Sequence, residues 1–198
     1  METIKMDEEK TNHHPQFIFD KFYHIYNRAV ENNLLFYSND NYSFFLKKYK
    51  FYLKDIVRTY AFCLLPNHFH MLVSPIISEP LTVSKQFQRF FISYSMSLNK
   101  QRIRRGNLFQ KNFKRKLISD IDYLKNVICY IHYNPSHHFV DTDYMNYEYS
   151  SFRMLIDNRP TDLERNEVLS WFGGVDKFIQ YHKNSKYDSW NDIYGMEE

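Results

Sequence analysis

The chain has 198 residues, with 18 Phe, 17 Tyr and only 4 Gly. This composition excludes a collagen-like or low-complexity chain and predicts a folded protein with aromatic-rich faces. Two cysteines, Cys63 and Cys129, are too few for a disulfide framework, which favours a reduced, cytoplasmic setting. The sequence contains neither a signal-like apolar run nor the roughly 18 apolar residues needed to span a bilayer, so we expect no membrane contact.

Positive charge is concentrated in the middle of the chain, although the formal net charge is only +3. Residues 81–118 carry 10 Lys or Arg and no acidic residue, whereas residues 119–198 carry 7 against 14 Asp or Glu. A local positive field attracts a polyphosphate backbone, and aromatic residues among the basic ones are typical of single-strand binding. The alternative is an ordinary solvated basic face with aromatics that dock a helix. The predicted DNA contacts are Lys85, Arg89, Arg102, Arg104, Arg105, Lys111, Lys114, Arg115 and Lys116.

Six elements are predicted before residue 119 from apolar periodicity, capping residues and turn signals. They are a strand at 22–30, a helix at 39–56, two strands within 57–75 joined at Pro66–Asn67, a helix at 82–101 capped by Thr82, and an extended segment at 106–118. This order matches the ferredoxin-like split βαβ arrangement. The sequence therefore predicts an α+β, RRM-like antiparallel sheet with helices packed on one face.

A further helix is predicted at 119–134, with Ser119 as its cap and Pro135 as its end. The acidic residues that follow contain two helical patterns, around 163–172 and 175–184. We therefore expect a flexible N-terminus at 1–16, a main domain at 17–140 and an acidic C-terminal helical extension at 141–198.

The segment "CLLPNHFHML" places two histidines in a predicted strand. Residues i and i+2 of a strand share a face, so His68 and His70 lie side by side while Phe69 points into the core. Two imidazoles so placed can share a divalent transition metal, or they can be polar residues on a half-exposed sheet. His24 is expected near the pair, and His182 on the surface. A structural metal protein is disfavoured because no second Cys or His cluster completes a four-ligand site.

Four segments in order resemble the single-tyrosine HUH transposases, and most closely the REP-associated tyrosine transposases. They are "HIYNR" at 24–28, "AFCLLPNHFHMLV" at 61–73, "GNLFQKNFK" at 106–114 and "YIHYNP" at 130–135. The resemblance implies that the main domain is catalytic, and that a tyrosine attacks a DNA phosphate to form a 5′-phosphotyrosine and free a 3′-hydroxyl. It also implies a Mg²⁺ or Mn²⁺ cofactor and single-stranded or hairpin DNA as partner. Related enzymes include swapped dimers and monomers, so both states stay open.

The family pattern puts the nucleophile at Tyr130. Helical geometry supports this placement, because Tyr130 lies away from the main apolar stripe and shares a face with Asn134 one turn later. In the family the third metal ligand sits at that position, where Gln, Glu or His is more usual than Asn. An amide oxygen suits a hard cation. His132 is a second candidate for this ligand.

The implied chemistry is coherent with these residue types. A tyrosine of pKa about 10 is a poor nucleophile at neutral pH, and a cation on His68 and His70 would polarise the phosphate. Imidazole ligands favour Mn²⁺ at least as much as Mg²⁺. The competing hypothesis is a non-catalytic module that stacks bases on sheet aromatics. It is disfavoured because the sequence lacks a Gly-Phe-Gly-Phe type of aromatic string.

Overall fold

The structure, a computed structural model, describes residues 15–31 and 33–185. Most of the predicted flexible N-terminus and the end of the predicted extension lie outside these ranges. The described elements are β1 (Phe22–Arg28), α1 (Asn39–Leu53), β2 (Val57–Leu65), β3 (His68–Pro75), α2 (Pro80–Gln101), β4 (Lys114–Ile118), α3 (Ile121–His137), α4 (Phe152–Ile156), α5 (Arg165–Phe172) and α6 (Val175–Asn184). No helix in the described part of the chain is both long and apolar enough to cross a bilayer.

The four strands form one antiparallel sheet in the order β2-β3-β1-β4. This is the spatial order of the ferredoxin-like fold, so the predicted fold class is confirmed. β2 and β3 are joined at Pro66–Asn67, as predicted. The two strands that carry the sequence motifs, β1 and β3, are the central pair, and both are therefore shielded by neighbouring strands.

One face of the sheet is covered by α1 and α2. Alternate residues of β1 and β3, such as Ile25 and Phe69, point to this side and are fully buried. They pack against aromatic residues of the two helices, including Phe45 and Phe90. Much of the aromatic content noted in the sequence, including several rings of the basic segment, therefore serves as core.

The opposite face of the sheet is covered by α3, and the outer side of α3 is covered in turn by the C-terminal helices. Leu124 and Ile131 are buried, and so are Val127 and Tyr130 on the other side of the helix. The interpretation of α3 as a helix with one apolar stripe is therefore incomplete. This helix is the middle layer of a sandwich, and both of its long sides are interior.

Several predicted boundaries are corrected by the structure. α3 is capped by Asp120 rather than Ser119, because the Asp120 side chain accepts a hydrogen bond from the backbone N–H of Tyr123 at 2.7 Å. Pro135 does not end α3, which continues to His137. α2 begins earlier than Thr82, with Pro80 in its first turn, where a missing N–H costs nothing.

The predicted extended segment at 106–118 is a strand only over β4. Its first part is a loop that contacts β1 through a bridge between Ala29 and Phe109. The two predicted helical patterns of the extension are confirmed as α5 and α6, and the short helix α4 was not predicted.

Candidate active site

His68 and His70 lie on β3 and point to the side of the sheet that α3 covers. Across β1 they are paired with Arg28 and Tyr26. The predicted alternation is confirmed, because Phe69 points to the opposite core. Both histidines are buried, with 5% and 1% of their surface exposed. They are therefore interior residues beneath α3 and not part of a half-exposed sheet face.

Tyr130 reaches the histidines from α3 of the same chain. Its ring centroid lies 5.5 Å from that of His70 and 5.8 Å from that of His24, with the rings nearly perpendicular. The tyrosine is fully buried. His24 on β1, His70 on β3 and Tyr130 on α3, which come from three different segments of the sequence, are thus close together in the structure.

The hydrogen bonds of His68 fix its tautomer. Its Nδ1 atom lies 2.6 Å from Oδ1 of Asn67, and because an amide oxygen only accepts, Nδ1 carries the proton. The lone pair is therefore on Nε2, which is buried and has no hydrogen-bond partner. A neighbouring acceptor that orients the ring in this way is typical of a metal-ligating histidine.

His24 supports His70 in a similar position. The Nε2 atom of His24 lies 3.1 Å from Nδ1 of His70, which confirms that His24 is near the pair. Burial, followed by the neighbouring histidines, holds the pKa of His70 well below its ordinary value, and burial likewise lowers the pKa of His68 and lowers that of His24 to about 3. The imidazoles are therefore neutral at physiological pH, as metal ligands must be.

Asn134 lies one helical turn beyond Tyr130, close enough to His68 for its side chain to raise the pKa of that histidine against the effect of burial. Its Nδ2 atom donates to the backbone carbonyl of Tyr130 at 2.8 Å, which leaves Oδ1 buried without a hydrogen-bond partner. Two imidazoles and an amide oxygen form a donor set that fits a divalent cation. No three His, Cys, Asp or Glu residues among those described are grouped so that they could hold a metal ion together, and a cation on the two histidines would therefore need a ligand of another type, such as this amide.

His132, the second candidate for this ligand, points to the other side of α3. Its Nδ1 atom is paired with Nε2 of His182 at 2.9 Å, and its Nε2 atom is paired with the hydroxyl of Ser151 at 2.8 Å. Both ring nitrogens are therefore engaged away from His68. The prediction that His182 lies on the surface is wrong, because only 3% of it is exposed.

A cleft reaches the histidines from the loop before β4. Its lining residues come from β1, β3 and this loop: Tyr26, Asn27, Arg28, His68, Phe69, His70, Gln110, Lys111, Asn112 and Lys114. The basic residues Arg28, Lys111 and Lys114 are thus placed around an opening that leads to the two imidazoles. This opening is a route by which a phosphate could approach the pair.

β4 divides the predicted DNA contacts between the two faces of the sheet. Lys114 and Lys116 pair with Tyr26 and His24 across β1, so they lie on the histidine side. The ammonium of Lys116 donates to the hydroxyl of Tyr123 on α3 at 2.7 Å. Two lysines of β4, the strand next to β1, therefore lie beside the candidate site.

Arg115 points to the other face of the sheet. Its guanidinium stacks on Phe17 at 4.5 Å and donates to the backbone carbonyl of Pro15. The side chain is half-buried there. Arg115 therefore holds the start of the described chain against the sheet, and its placement gives no support to the predicted DNA contact.

The other predicted DNA contacts lie apart from the cleft. Arg104 is tied to Asn99 and to the backbone of Asn107, and Arg102 stacks on Tyr37 at 4.3 Å. Lys85 and Arg89 are exposed on α2, on the far side of the sheet from the histidines, and Arg105 is exposed in the loop after α2. The nine predicted basic residues do not form one surface.

His138, which directly follows α3, also lies at the candidate site and is not among the site residues predicted from the sequence. Its ring lies 4.4 Å from that of His68, measured between centroids. Burial, followed by the neighbouring His137, lowers the pKa of His138 to about 4. Tyr130, Asn134 and His138 are spaced four residues apart, and this spacing places all three on one side of α3. The predicted helix end at Pro135 leaves His138 out of this series.

Comparisons with known proteins agree with these motifs. No family model matches the chain. A Haemophilus influenzae protein named as a REP-associated tyrosine transposase is 32% identical over 102 residues, which are 48% of this chain and 58% of that relative. The match thus spans less than two thirds of the relative's length.

A solved structure, described as a REP-associated tyrosine transposase bound to a REP hairpin, has the same fold. It superposes with a TM-score of 0.61 at 14% identity and covers 76% of this chain and 89% of that one. The resemblance to the REP-associated tyrosine transposases is thereby confirmed, in sequence by the first protein and in fold by the second.

Proposed function

We propose that this relative of the REP-associated tyrosine transposases cuts and rejoins single-stranded DNA at hairpin-forming repeats. The observation that carries the proposal is the meeting of Tyr130 with His70 beneath α3, beside a second motif histidine. These residues are distant in sequence, and the fold brings the proposed nucleophile beside the two proposed metal ligands.

In the proposed reaction the hydroxyl oxygen of Tyr130 attacks a DNA phosphorus atom. A bond forms between this oxygen and phosphorus, and the bond from phosphorus to the 3′ oxygen of the preceding nucleotide breaks. The phenol proton is balanced by the proton that the departing 3′ oxygen gains. Rejoining is the reverse exchange, in which a 3′-hydroxyl attacks the 5′-phosphotyrosine and releases Tyr130.

A bound Mg²⁺ or Mn²⁺ would neutralise charge on the phosphoryl oxygens. His68, His70 and Asn134 would hold it, since their donor atoms are neutral and face the same interior space. Asn67 and His24 would orient the two imidazoles from behind. Proximity to His70 gives Tyr130 the short approach to a phosphate that this chemistry needs.

Arg28, Lys111 and Lys114 would bind the DNA backbone at the mouth of the cleft, with Lys116 further along β4. Contacts to phosphates supply affinity without reading sequence. Hairpin DNA as partner comes from the described complex of the structural neighbour. Because Tyr130 is fully buried, a strand enters only when α3 moves relative to the sheet.

The competing module, which stacks bases on sheet aromatics, is weakened by one feature of the fold. α3 covers the sheet face on which such bases would lie. Tyr26, an aromatic residue of that face, is only 6% exposed and stacks on His24 at 4.9 Å. Side chains occupy the place that bases take in RNA-recognition domains.

A denaturing gel tests the proposal. The protein is incubated with single-stranded hairpin DNA and Mn²⁺, and a covalent protein–DNA band is expected. Tyr130→Phe should abolish the band, whereas Tyr133→Phe, a half-buried tyrosine of the same helix, should retain it. DNA binding with no covalent band across many hairpins would favour the non-catalytic module.

A further inference from the structure

Phe139, which follows His138, is a large apolar residue that the fold leaves in solvent. Its side chain is 95% exposed, and its backbone has a φ of 54°, in the left-handed region. Bulky residues rarely adopt this region, because the Cβ atom crowds the following carbonyl oxygen. An exposed aromatic ring and a strained backbone thus occur at the same position, and neither contributes to the core.

The left-handed conformation of Phe139 is fixed by the way α3 ends. The backbone N–H of Phe139 donates to the carbonyl of Ser136 at 3.2 Å, and that of Val140 donates to the carbonyl of Pro135 at 2.8 Å. This pattern closes a helix with a left-handed residue, which is usually glycine. In this chain α5 ends in the same pattern with Gly173, whose φ is 81°. At the end of α3 a phenylalanine therefore costs stability that a glycine would not.

Phe139 lies at the rim of the candidate site. The ring of its neighbour His138 lies 4.4 Å from that of His68, and His68 lines the cleft by which a phosphate could approach. Burial lowers the pKa of both histidines, and the charge of Arg28, another residue of the cleft, adds to this effect. The exposed ring is therefore placed beside a positively charged opening.

We propose that Phe139 stacks on an unpaired base of the DNA, next to the phosphate that enters the cleft. The inference rests on the proposed function, because the base belongs to the same strand. Stacking on an aromatic side chain supplies affinity with little regard to sequence. A ring on a fixed backbone also loses little freedom when a base binds. A base held there cannot pair, so Phe139 keeps the DNA single-stranded beside the cleft.

The alternative occupant of an exposed aromatic ring is a second copy of this chain. Two copies that met at this rim would bring together like charges such as Arg28 and Lys111, whereas a phosphate backbone offsets them. The half-buried Asp141, which follows the ring, accepts a hydrogen bond from the backbone N–H of Asp143 at 2.9 Å and is thus engaged in its own turn. Charge therefore favours DNA.

Fluorescent hairpin DNA tests the proposal with the full chain. A 2-aminopurine base is placed in turn at each unpaired position beside the stem, and at one position its emission should be quenched on binding, because stacking quenches it. Phe139→Gly should remove this quenching and weaken binding by about tenfold. The same variant should raise the urea midpoint of unfolding, since glycine adopts the left-handed region without strain. Phe139→Trp should retain both the quenching and the affinity.

Ile103→Gly is the matched control for the backbone effect. Ile103 ends α2 in the same hydrogen-bond pattern, with a φ of 51° and 95% exposure, among residues that lie apart from the cleft. This variant should also raise the urea midpoint, but it should bind and quench the hairpin like the wild type.

The outcomes separate this inference from the function on which it rests. Wild-type affinity and quenching in Phe139→Gly would overturn the stacking role, while a covalent band that depends on Tyr130 would still support cleavage. Unchanged DNA binding in Phe139→Gly, together with loss of a wild-type dimer, would assign the ring to a second copy and overturn the proposal. If the wild type binds no hairpin DNA, the inference and the proposed function fall together.

Discussion

Two groups of buried or half-buried histidines lie on opposite sides of α3, and they differ in how their nitrogen atoms are used. The sheet-side cluster consists of His24, His68, His70 and His138. The extension-side pair consists of His132 and His182. Desolvation lowers the pKa values in both groups, so burial and pKa alone do not distinguish them. Their hydrogen bonds do.

The extension-side pair belongs to a closed chain of hydrogen bonds with a fixed direction. The backbone N–H of Phe62 donates to the hydroxyl of Ser151, and Nδ1 of His182 donates to the carbonyl of Phe178, both at 2.8 Å. These ends require Ser151 to donate to Nε2 of His132, and Nδ1 of His132 to donate to Nε2 of His182. Both rings are neutral and every nitrogen is used.

In the sheet-side cluster, the Nε2 atoms of His68 and His138 have no such partner. A histidine whose two ring nitrogens are both hydrogen-bonded has a structural role, whereas a histidine with a buried nitrogen that makes no hydrogen bond is available to bind a ligand. We expect the two groups to respond differently to replacement.

The largest expected effect is on catalysis, from the sheet-side cluster. His68→Ala should slow formation of the covalent DNA adduct by about 100- to 1,000-fold, because in the proposed reaction the cation that offsets the phosphate charge loses a ligand. The free energy of unfolding should fall by about 1 to 2 kcal/mol, less than at His132, because the hydrogen bond from Nδ1 to Asn67 and the packing of a buried ring are lost while Nε2 makes no hydrogen bond. Adduct kinetics and urea unfolding measure the two quantities. Lost stability with an unchanged rate would mean that this cluster too is structural.

Stability should respond most to the extension-side pair. His132→Ala leaves Ser151 and His182 without their partners and opens a cavity, and we expect it to lower the free energy of unfolding by about 3 kcal/mol. Lys125→Ala, at an intermediate site on the same helix, serves as the control and should cost about 0.5 kcal/mol or less. Equal effects of the two variants in urea unfolding would contradict the structural role of His132.

Acid should destabilise the protein in part through His182. Burial lowers the pKa of His182 to about 4, whereas the unfolded chain takes up this proton near pH 6.5. The unfolded state therefore binds more protons between these values, and stability is lost as the pH falls below 6.5. His182 should contribute about 2 kcal/mol of this loss between pH 7.5 and pH 5.

In the His182→Gln variant this position cannot take up a proton. The free energy of unfolding of the variant should therefore fall by about 2 kcal/mol less than that of the wild type between pH 7.5 and pH 5. His132, which faces His182 from α3, and Tyr144, whose hydroxyl donates to the His182 carbonyl at 3.1 Å, remain in the variant. Identical pH profiles of unfolding for the two proteins would show that His182 is protonated in the folded state or exposed in solution.

The smallest expected effect concerns two neighbours on β4. Lys116→Ala should weaken binding of single-stranded DNA by a few-fold and reduce the slope of log affinity against log salt by about 0.7 to 1, because one phosphate contact is lost. Arg115→Ala should leave both quantities nearly unchanged and lower stability instead, because Arg115 stacks on Phe17. Fluorescence anisotropy at several salt concentrations separates them. If the two variants had the same slope of log affinity against log salt, Lys116 would contact DNA no more than Arg115 does.

The fold was predictable because apolar alternation on the strands and the order of elements are local properties of the sequence. The meeting of Tyr130 with His70 was expected only through the family resemblance, since periodicity places a residue on a face and does not choose its partner. The basic segment was misjudged in part. Charge counts do not reveal that Arg115 and Lys116, adjacent in sequence, point to opposite sides of a strand.

The role of His132 could not be predicted either, because its partners Ser151 and His182 come from a segment whose position depends on tertiary packing. The sequence predicts that α3 ends at Pro135, because proline disrupts a helix interior. In the last turn, however, the helix continues far enough to bring His138 against His68.

α3 as the middle layer of a sandwich has a consequence for how the protein comes into being. When the ribosome has synthesised the first 140 residues, every residue of the candidate site is already present in the chain. At that stage one side of α3 is covered by the sheet, and its other side is an exposed apolar surface that includes Ile131 and Ile128. These residues are buried only when the later helices pack on them. The layer that encloses the candidate site is therefore completed only after the helices that follow α3 in the chain have been made.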